Sequence, residues 1–422
     1  MRYLLAIWDG GGATPPNLGV ARMLVARGHE VVVYGDATLA ADVGATGAVH
    51  RPWPTAPQRV STSLDDDVLK DWECRTPIGA FLRARDRLVA GPAGLFAADV
   101  VAALDAQHFD AVLADGVLLG ALVGAEARGV PAAVLHGTVY LVPSPARPPL
   151  GRIAPARGPL GHLRDRAGCL ATNLLWRSGV RSLNAARATH GLAPLRHLWD
   201  QWGHAERVLM LTASAFDDPP ANEPNVRYVG PVLEDLRSEA EVPLPPGDDP
   251  LVVVGLSSSY MAQSEVLRQF AQALASLSVR AVITTGPAID PAEVPSAPNV
   301  VVVQTAMHGS LIPRADLVVT HAGHGTLMKA LAAGVPMLCV PFGRDQPDNA
   351  ARAVRHGVAH VVSKRSDAAA FSAAVRTALD DPVIRTGAAA LGARVRAEID
   401  SGQLLAELEA LPGRRRPAPE PA

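Results

Sequence analysis

Short apolar runs alternate with alanine-rich helical stretches along the whole chain, and no other feature restricts the fold as strongly. The alternation predicts an α/β protein, with parallel strands joined by crossover helices that cover both faces of the sheet. In the first half, strands are expected near 3–8, 30–34, 111–114, 132–136 and 207–211. In the second half, they are expected near 251–256, 279–284, 300–304, 317–321, 337–341 and 359–363. A chain of 422 residues exceeds one ordinary core, so two domains are expected. Aromatic residues make up only 4%, which leaves the cores to Ala, Val and Leu, as suits buried parallel strands.

An internal echo indicates two doubly wound domains of like build. Phe109 to Asp115 is followed by a helical stretch, then Gly129-Val130-Pro131 and the strand 132–136. Ala315 to His321 is followed by a helical stretch, then Gly334-Val335-Pro336 and the strand 337–341. In each copy Gly supplies the left-handed end of a helix and Pro opens the next strand. Asp115 and His321 occupy matching places at the C-terminal ends of equivalent strands. Ligands bind at that edge of a doubly wound sheet. Two such domains face to face would put Asp115 on one wall of a cleft and His321 on the other.

Composition shifts suggest the boundaries. Residues 1–215 are expected to form the first domain, and 216–250, crowded with Pro, Asp and Asn, an interdomain linker region. Residues 251–400 would form the second domain and 401–422 a final segment, its tail from Arg414 expected to be disordered. Pro143 to Gly168 is rich in Pro, Gly and Arg and long for a connection. A mobile loop over a binding site and a surface insertion both fit it.

A net charge of −2 argues against a nucleic-acid surface. Cys74, Cys169 and Cys339 are odd in number and far apart, so neither a disulfide framework nor a zinc site is expected. A reducing cytoplasm fits. The apolar run at the N-terminus is too short for a signal peptide and reads as a first buried strand. No stretch approaches the roughly 20 apolar residues of a membrane span. Oligomeric state is left open.

The most informative constellation runs from Leu317 to Leu331. An apolar strand ends at His321. Two glycines then let the backbone turn tightly and approach a ligand closely. A helix is expected to begin near Gly325 or Thr326. Its free N–H groups and dipole favour an anion beyond the strand end. Thr326 can add a hydroxyl and His321 a ring N–H, the charge relief that a departing diphosphate needs. His321 and His324 are three apart, but no Glu or further His completes a metal site.

His321-Ala-Gly-His-Gly-Thr326, the following Ala-Leu-Ala-Ala-Gly-Val-Pro-Met-Leu-Cys-Val-Pro and then Gly343-Arg344-Asp345-Gln346-Pro347-Asp348-Asn349-Ala350 resemble the donor signature of the family 1 nucleotide-sugar glycosyltransferases. The likeness is to the bacterial type that decorates natural products. More weakly it extends over nearly the whole chain, through Arg27-Gly28-His29-Glu30-Val31 and Tyr228-Val229-Gly230-Pro231. The resemblance implies two Rossmann-like domains facing across a cleft, the GT-B arrangement, with the acceptor in the first and the donor in the second. It implies an inverting, metal-independent transfer from a UDP- or TDP-sugar to a small apolar or aromatic acceptor. No cofactor is implied, the nucleotide sugar being a co-substrate. By the matching positions, His321, Gly323, His324, Gly325 and Thr326 would serve the diphosphate, and Asp345 and Gln346 the sugar hydroxyls. Ser257, Ser258 and Ser259 match a loop brought to the phosphates. Thr305, Met307 and His308 fall in the loop that meets the nucleobase, with Thr305 where family members often carry an aromatic ring.

Transfer to a hydroxyl needs its proton removed. Family members commonly place a His in the loop after the first strand, oriented by an Asp on a later strand. Asp115 matches the Asp, but Ala13 falls where the His would be. Asp9 is the leading candidate for the base, with Asp115 and His136 as alternatives. An acidic acceptor such as a phenol, with a pKa of about 10, would need less help. Gly10-Gly11-Gly12 lacks the G-x-G-x-x-G spacing of a dinucleotide loop. A nucleotide-sugar epimerase of the same fold and a non-catalytic sugar-nucleotide-binding accessory protein are the rival readings.

Overall fold

A computed structural model describes residues 1–142, 158–220, 223–235, 242–257 and 260–413. Two parallel sheets form its framework. The first contains β1 (Arg2–Ala6), β2 (Glu30–Gly35), β3 (Val49–Pro52), β4 (Ala111–Asp115), β5 (Ala132–His136), β6 (Arg207–Met210) and β7 (Val226–Tyr228), in the order β3-β2-β1-β4-β5-β6-β7. The second contains β8 (Leu251–Gly255), β9 (Arg280–Thr284), β10 (Val300–Val303), β11 (Leu317–Thr320), β12 (Met337–Cys339) and β13 (Ala359–Val361), in the order β10-β9-β8-β11-β12-β13. Each sheet reverses its winding beside its first strand, so β1/β4 and β8/β11 flank equivalent switch points.

Strand side chains alternate between two covered faces. Leu4 and Ala6 join one core while Tyr3, Leu5 and Ile7 join the other. Leu251 and Val253 divide from Val252 and Val254 in the same way. Both faces are dry, which explains the near-continuous apolar strands.

The echo between the halves has a hydrogen-bond basis. Asp110 Oδ2 accepts from the Arg2 amide at 2.7 Å, and Asp316 Oδ2 accepts from the Leu251 amide at 2.8 Å. Each Asp thereby caps the first residue of the neighbouring central strand. Gly129 and Gly334 both take left-handed backbones, φ +60° and +74°, at the ends of equivalent helices.

Four expectations need correction. β3 and β7 were not anticipated, because they are short edge strands carrying His, Arg and Pro. β7 lies inside 216–250, so the first sheet continues into the stretch expected to be a linker. Residues 158–168, expected to be irregular, belong to the helix Gly158–Arg177; residues 143–157 lie outside the described residues, as does the tail from Arg414. The helical run Pro77–Ala106 is long and apolar enough for a membrane span, but Leu88, Val89, Phe96 and Val100 on it are buried in the first core.

The chain finally crosses back. Leu404 and Leu408 of the helix Gln403–Glu409 pack into the first domain's core beside Tyr3 and Leu5, and the Tyr3 hydroxyl donates to the Leu408 carbonyl at 3.1 Å. Across the junction, Asp217 accepts from Arg352 Nε at 3.1 Å and from the Tyr228 hydroxyl at 2.7 Å.

Candidate active site

The turn expected to hold a diphosphate follows β11. His321 and Ala322 link the strand to the helix His324–Ala333. Ala322 is left-handed, φ +66°, a costly conformation for a residue with a Cβ. Its amide donates to Thr320 Oγ1 at 3.2 Å, and its carbonyl accepts from Asn349 Nδ2 at 3.0 Å. These bonds hold the turn open toward the helix N-terminus, which starts close to where the sequence placed it.

The His321 ring lies over Gly323. A methyl group there would fall 2.3 Å from His321 Nε2, so only glycine leaves room for the imidazole. His321 Nδ1 is buried and makes no hydrogen bond. Burial pushes the ring's pKa down to about 4, against the opposing pull of Asp345 and the Gly255 carbonyl. His321 is therefore neutral near pH 7, and its one N–H could reach an anion only by leaving the Gly255 carbonyl. His324 turns elsewhere: its Nε2 lies 2.8 Å from Thr212 Oγ1 in the first domain, and burial takes its pKa down to about 4.

The remaining donor candidates divide. Asp345 Oδ2 accepts from Thr138 Oγ1 of the first domain at 2.6 Å and from Asn349 Nδ2 at 2.9 Å, at the cleft. Gln346, expected on the sugar, is instead buried in its own turn. Its Oε1 accepts from the Phe342 and Gly343 amides at 2.8 and 3.2 Å, and its Nε2 faces Met261 Sδ. Ser257 is buried after β8, its carbonyl bonded to Gln263. Ser258 and Ser259 lie outside the described residues. Thr305 and Met307 are exposed. His308 turns inward, its Nε2 3.2 Å from Thr284 Oγ1, where a Cβ on Gly255 would collide with the ring.

The three proton-acceptor candidates sit in different surroundings. Asp9, favoured from sequence, is committed elsewhere: Oδ2 accepts from Thr38 Oγ1 at 2.9 Å and lies 3.6 Å from the Arg59 guanidinium. His136 is buried, its Nε2 3.2 Å from the Val139 carbonyl and its ring 5.0 Å from Trp202. Burial takes its pKa down to about 4.

Asp115 differs from both. It ends β4, and its Oδ2 accepts from Asn17 Nδ2 at 2.8 Å and its Oδ1 from the Val117 amide at 3.1 Å. Burial raises its pKa to about 6; those two donors and the nearby Trp8 indole limit the rise. Asn17, Thr138 and Thr212 were not found from sequence: each meets a partner far along the chain, and nothing local marks it.

The two walls meet. A methyl group on Gly325, at the diphosphate helix, would lie 3.8 Å from the Gly12 carbonyl in the loop after β1. The strand edges of two Rossmann-like domains thus face each other beside the turn after β11. Residues 186–394 match the family described as UDP-glucoronosyl and UDP-glucosyl transferase. The chain is 28% identical to 4'-demethylrebeccamycin synthase of Lentzea aerocolonigenes, over 92% of this chain and 94% of that one. It is 33% identical to O-mycaminosyltylonolide 6-deoxyallosyltransferase of Streptomyces fradiae, over 44% of this chain and 41% of that one. In fold it resembles the calicheamicin glycosyltransferase, with TM-score 0.73, 22% identity and 99% of both chains covered. It also resembles the spinosyn rhamnosyltransferase complexed with thymidine diphosphate, with TM-score 0.71, 17% identity, and 97% of this chain and 100% of that one covered. The chain is similar to the family 1 nucleotide-sugar glycosyltransferases, through a family match over 186–394 and a relative matched along nearly its whole length, and is a glycosyltransferase enzyme.

Proposed function

We propose that this enzyme moves a sugar from a UDP- or TDP-sugar to a small apolar or aromatic natural-product acceptor, inverting the anomeric centre and using neither metal nor cofactor. The reading rests on one observation above others: the loop after β1 abuts the start of the diphosphate helix, so acceptor wall and donor wall share one space. The natural-product relatives and the thymidine diphosphate held by a structural neighbour support the substrate classes. The free thiols suit a cytoplasmic setting.

The acceptor nucleophile attacks the anomeric carbon from the first domain's side. The new bond forms as the bond to the diphosphate oxygen breaks. Asp115 takes the acceptor's proton. The departing negative charge is met by His321 N–H, the free amides at the helix start and the Thr326 hydroxyl. Asp345 accepts from sugar hydroxyls, in place of or beside Thr138.

Release of UDP or TDP that requires both a nucleotide sugar and an acceptor is the direct test. Failure of either nucleotide to bind at millimolar concentration would sink the reading, and isomerisation of donor alone would replace it with an epimerase. His321→Ala is expected to weaken UDP or TDP binding by roughly ten- to a hundredfold, the worth of one hydrogen bond to a charged group, as measured by titration calorimetry.

A further inference from the structure

Among the described residues, four that are not glycine have left-handed backbones: Lys70, Ala262, Ala322 and Arg344. Such conformations persist only where surrounding structure holds them, and they gather at functional sites. Ala322 shapes the diphosphate turn. Ala262 and Arg344 sit in the two neighbouring loops of the second domain. Lys70 belongs to the first domain, and the residues after it reach both of those loops.

Asp71 binds the Arg344 guanidinium through both oxygens, Oδ2 to Nε at 2.6 Å and Oδ1 to Nη2 at 3.0 Å. Their side chains are 12% and 28% exposed, so the pair sits at the cleft rim, partly shielded from water. Trp72 meets Tyr260 edge to face, ring centroids 5.9 Å apart. Arg83 anchors the clasp from behind, donating to the Lys70 carbonyl at 2.6 Å and to Glu73 at 2.7 Å. Arg344 directly precedes Asp345, which Thr138 holds from the same domain. The acceptor domain thus grips two consecutive residues of the loop that carries the sugar-binding carboxylate.

We propose that Asp71 is a positioning residue for the donor sugar: its paired bond to Arg344 closes the cleft and sets Asp345 against the sugar hydroxyls. The proposal rests on reading 343–346 as the sugar loop. A bidentate carboxylate–guanidinium pair is directional as well as attractive, so it can fix a loop's orientation where a single contact would not. Its effect falls on the sugar and not on the diphosphate, which the 321–326 turn holds separately.

Asp71→Ala is expected to raise KM for the nucleotide sugar about tenfold, with kcat within about threefold and UDP or TDP affinity within about twofold, the pattern of lost uniform binding. Asp71→Arg combined with Arg344→Asp is expected to recover most of the loss, since Asp tolerates a left-handed backbone. An unchanged KM in Asp71→Ala overturns the proposal, as does a double variant no better than the worse single one. Wild-type enzyme showing no saturation with any nucleotide sugar would defeat the sugar-loop reading instead. Closure is then read by small-angle scattering: a larger radius of gyration in Asp71→Ala, reversed in the double variant, supports the clasp, and no difference overturns it.

Discussion

Replacing Asp115 by Asn is expected to lower kcat by roughly a hundred- to ten-thousandfold while UDP or TDP affinity stays within about twofold. The variant keeps the shape of the side chain and removes its capacity to take a proton. The wild-type pH profile should carry the same signature. Asp115 must be ionised to act, and burial has raised its pKa to about 6 in the free enzyme, so kcat/KM should rise as pH passes through about 6 and then level off. A stability measurement separates this role from a structural one. The folded-state pKa lies above the unfolded value of 3.8, so the folded chain favours the protonated form. That preference stabilises fully below about pH 4 and is lost as pH rises through 6, a difference of about 3 kcal/mol. Near pH 7 the ionised Asp115 is therefore a burden on the fold, and relief of that burden offsets the one acceptor the Asn variant loses toward Asn17 or Val117, so it should melt close to wild type. Lost activity with an unchanged or raised Tm supports the base. Lost activity with a lowered Tm would show that the carboxylate is mainly structural.

The second large effect concerns stability alone. Arg187 is 1% exposed in the first domain and donates to Glu126 Oε2 at 2.6 Å, Glu126 Oε1 at 3.0 Å and Gln201 Oε1 at 2.6 Å. His204 Nδ1 lies 2.9 Å from Glu126. Removing one member leaves a buried charge without its partner, so Arg187→Met is expected to cost about 3–5 kcal/mol. In a domain of this size the loss lowers Tm by on the order of 10 °C, readable by calorimetry. Arg187→Met with Glu126→Leu should recover much of it, because an apolar pair of similar volume leaves no orphan. Acid should reproduce the loss. Burial pushes the Glu126 pKa up, but hydrogen bonds from His204, Arg187 and Gln201 outweigh it and bring it down to about 2. The stabilisation is complete above about pH 4.5 and disappears as pH falls through about 2, a span of roughly 3 kcal/mol. A stability difference between wild type and the Arg187→Met, Glu126→Leu double variant that does not change from pH 6 to about pH 2 would contradict this assignment.

Much of the donor turn was legible because its chemistry is local. A strand end, two glycines and a helix start are all encoded within the residues from Leu317 to Ala333, and the structure keeps them in that order. Only the burden on Ala322 escaped notice, since its φ depends on Asn349 reaching across from another helix. The contacts of Gln346 were not legible for a similar reason. As a polar side chain after a strand it could face a ligand or stitch its own turn, and the position of Met261, from a different loop, decided for the turn. Asp9 and Asp115 could not be ranked from sequence. Both follow apolar strands, but Arg59 and Thr38 occupy one carboxylate, while Asn17 orients the other inside a dry wall.

The chain's pattern by itself determined two doubly wound parallel sheets, all their strands but β3 and β7, and the strand–glycine–helix turn after β11. These depend on periodicity, glycine placement and helix starts, which act over a few neighbouring residues. Tertiary structure alone decided which carboxylate is desolvated, how Asp71 and Thr138 reach consecutive residues of the opposite domain, and that the last helix returns to the first core. Electrostatic environment and interdomain contact depend on distances between residues far apart in sequence, and local pattern carries no information about those distances.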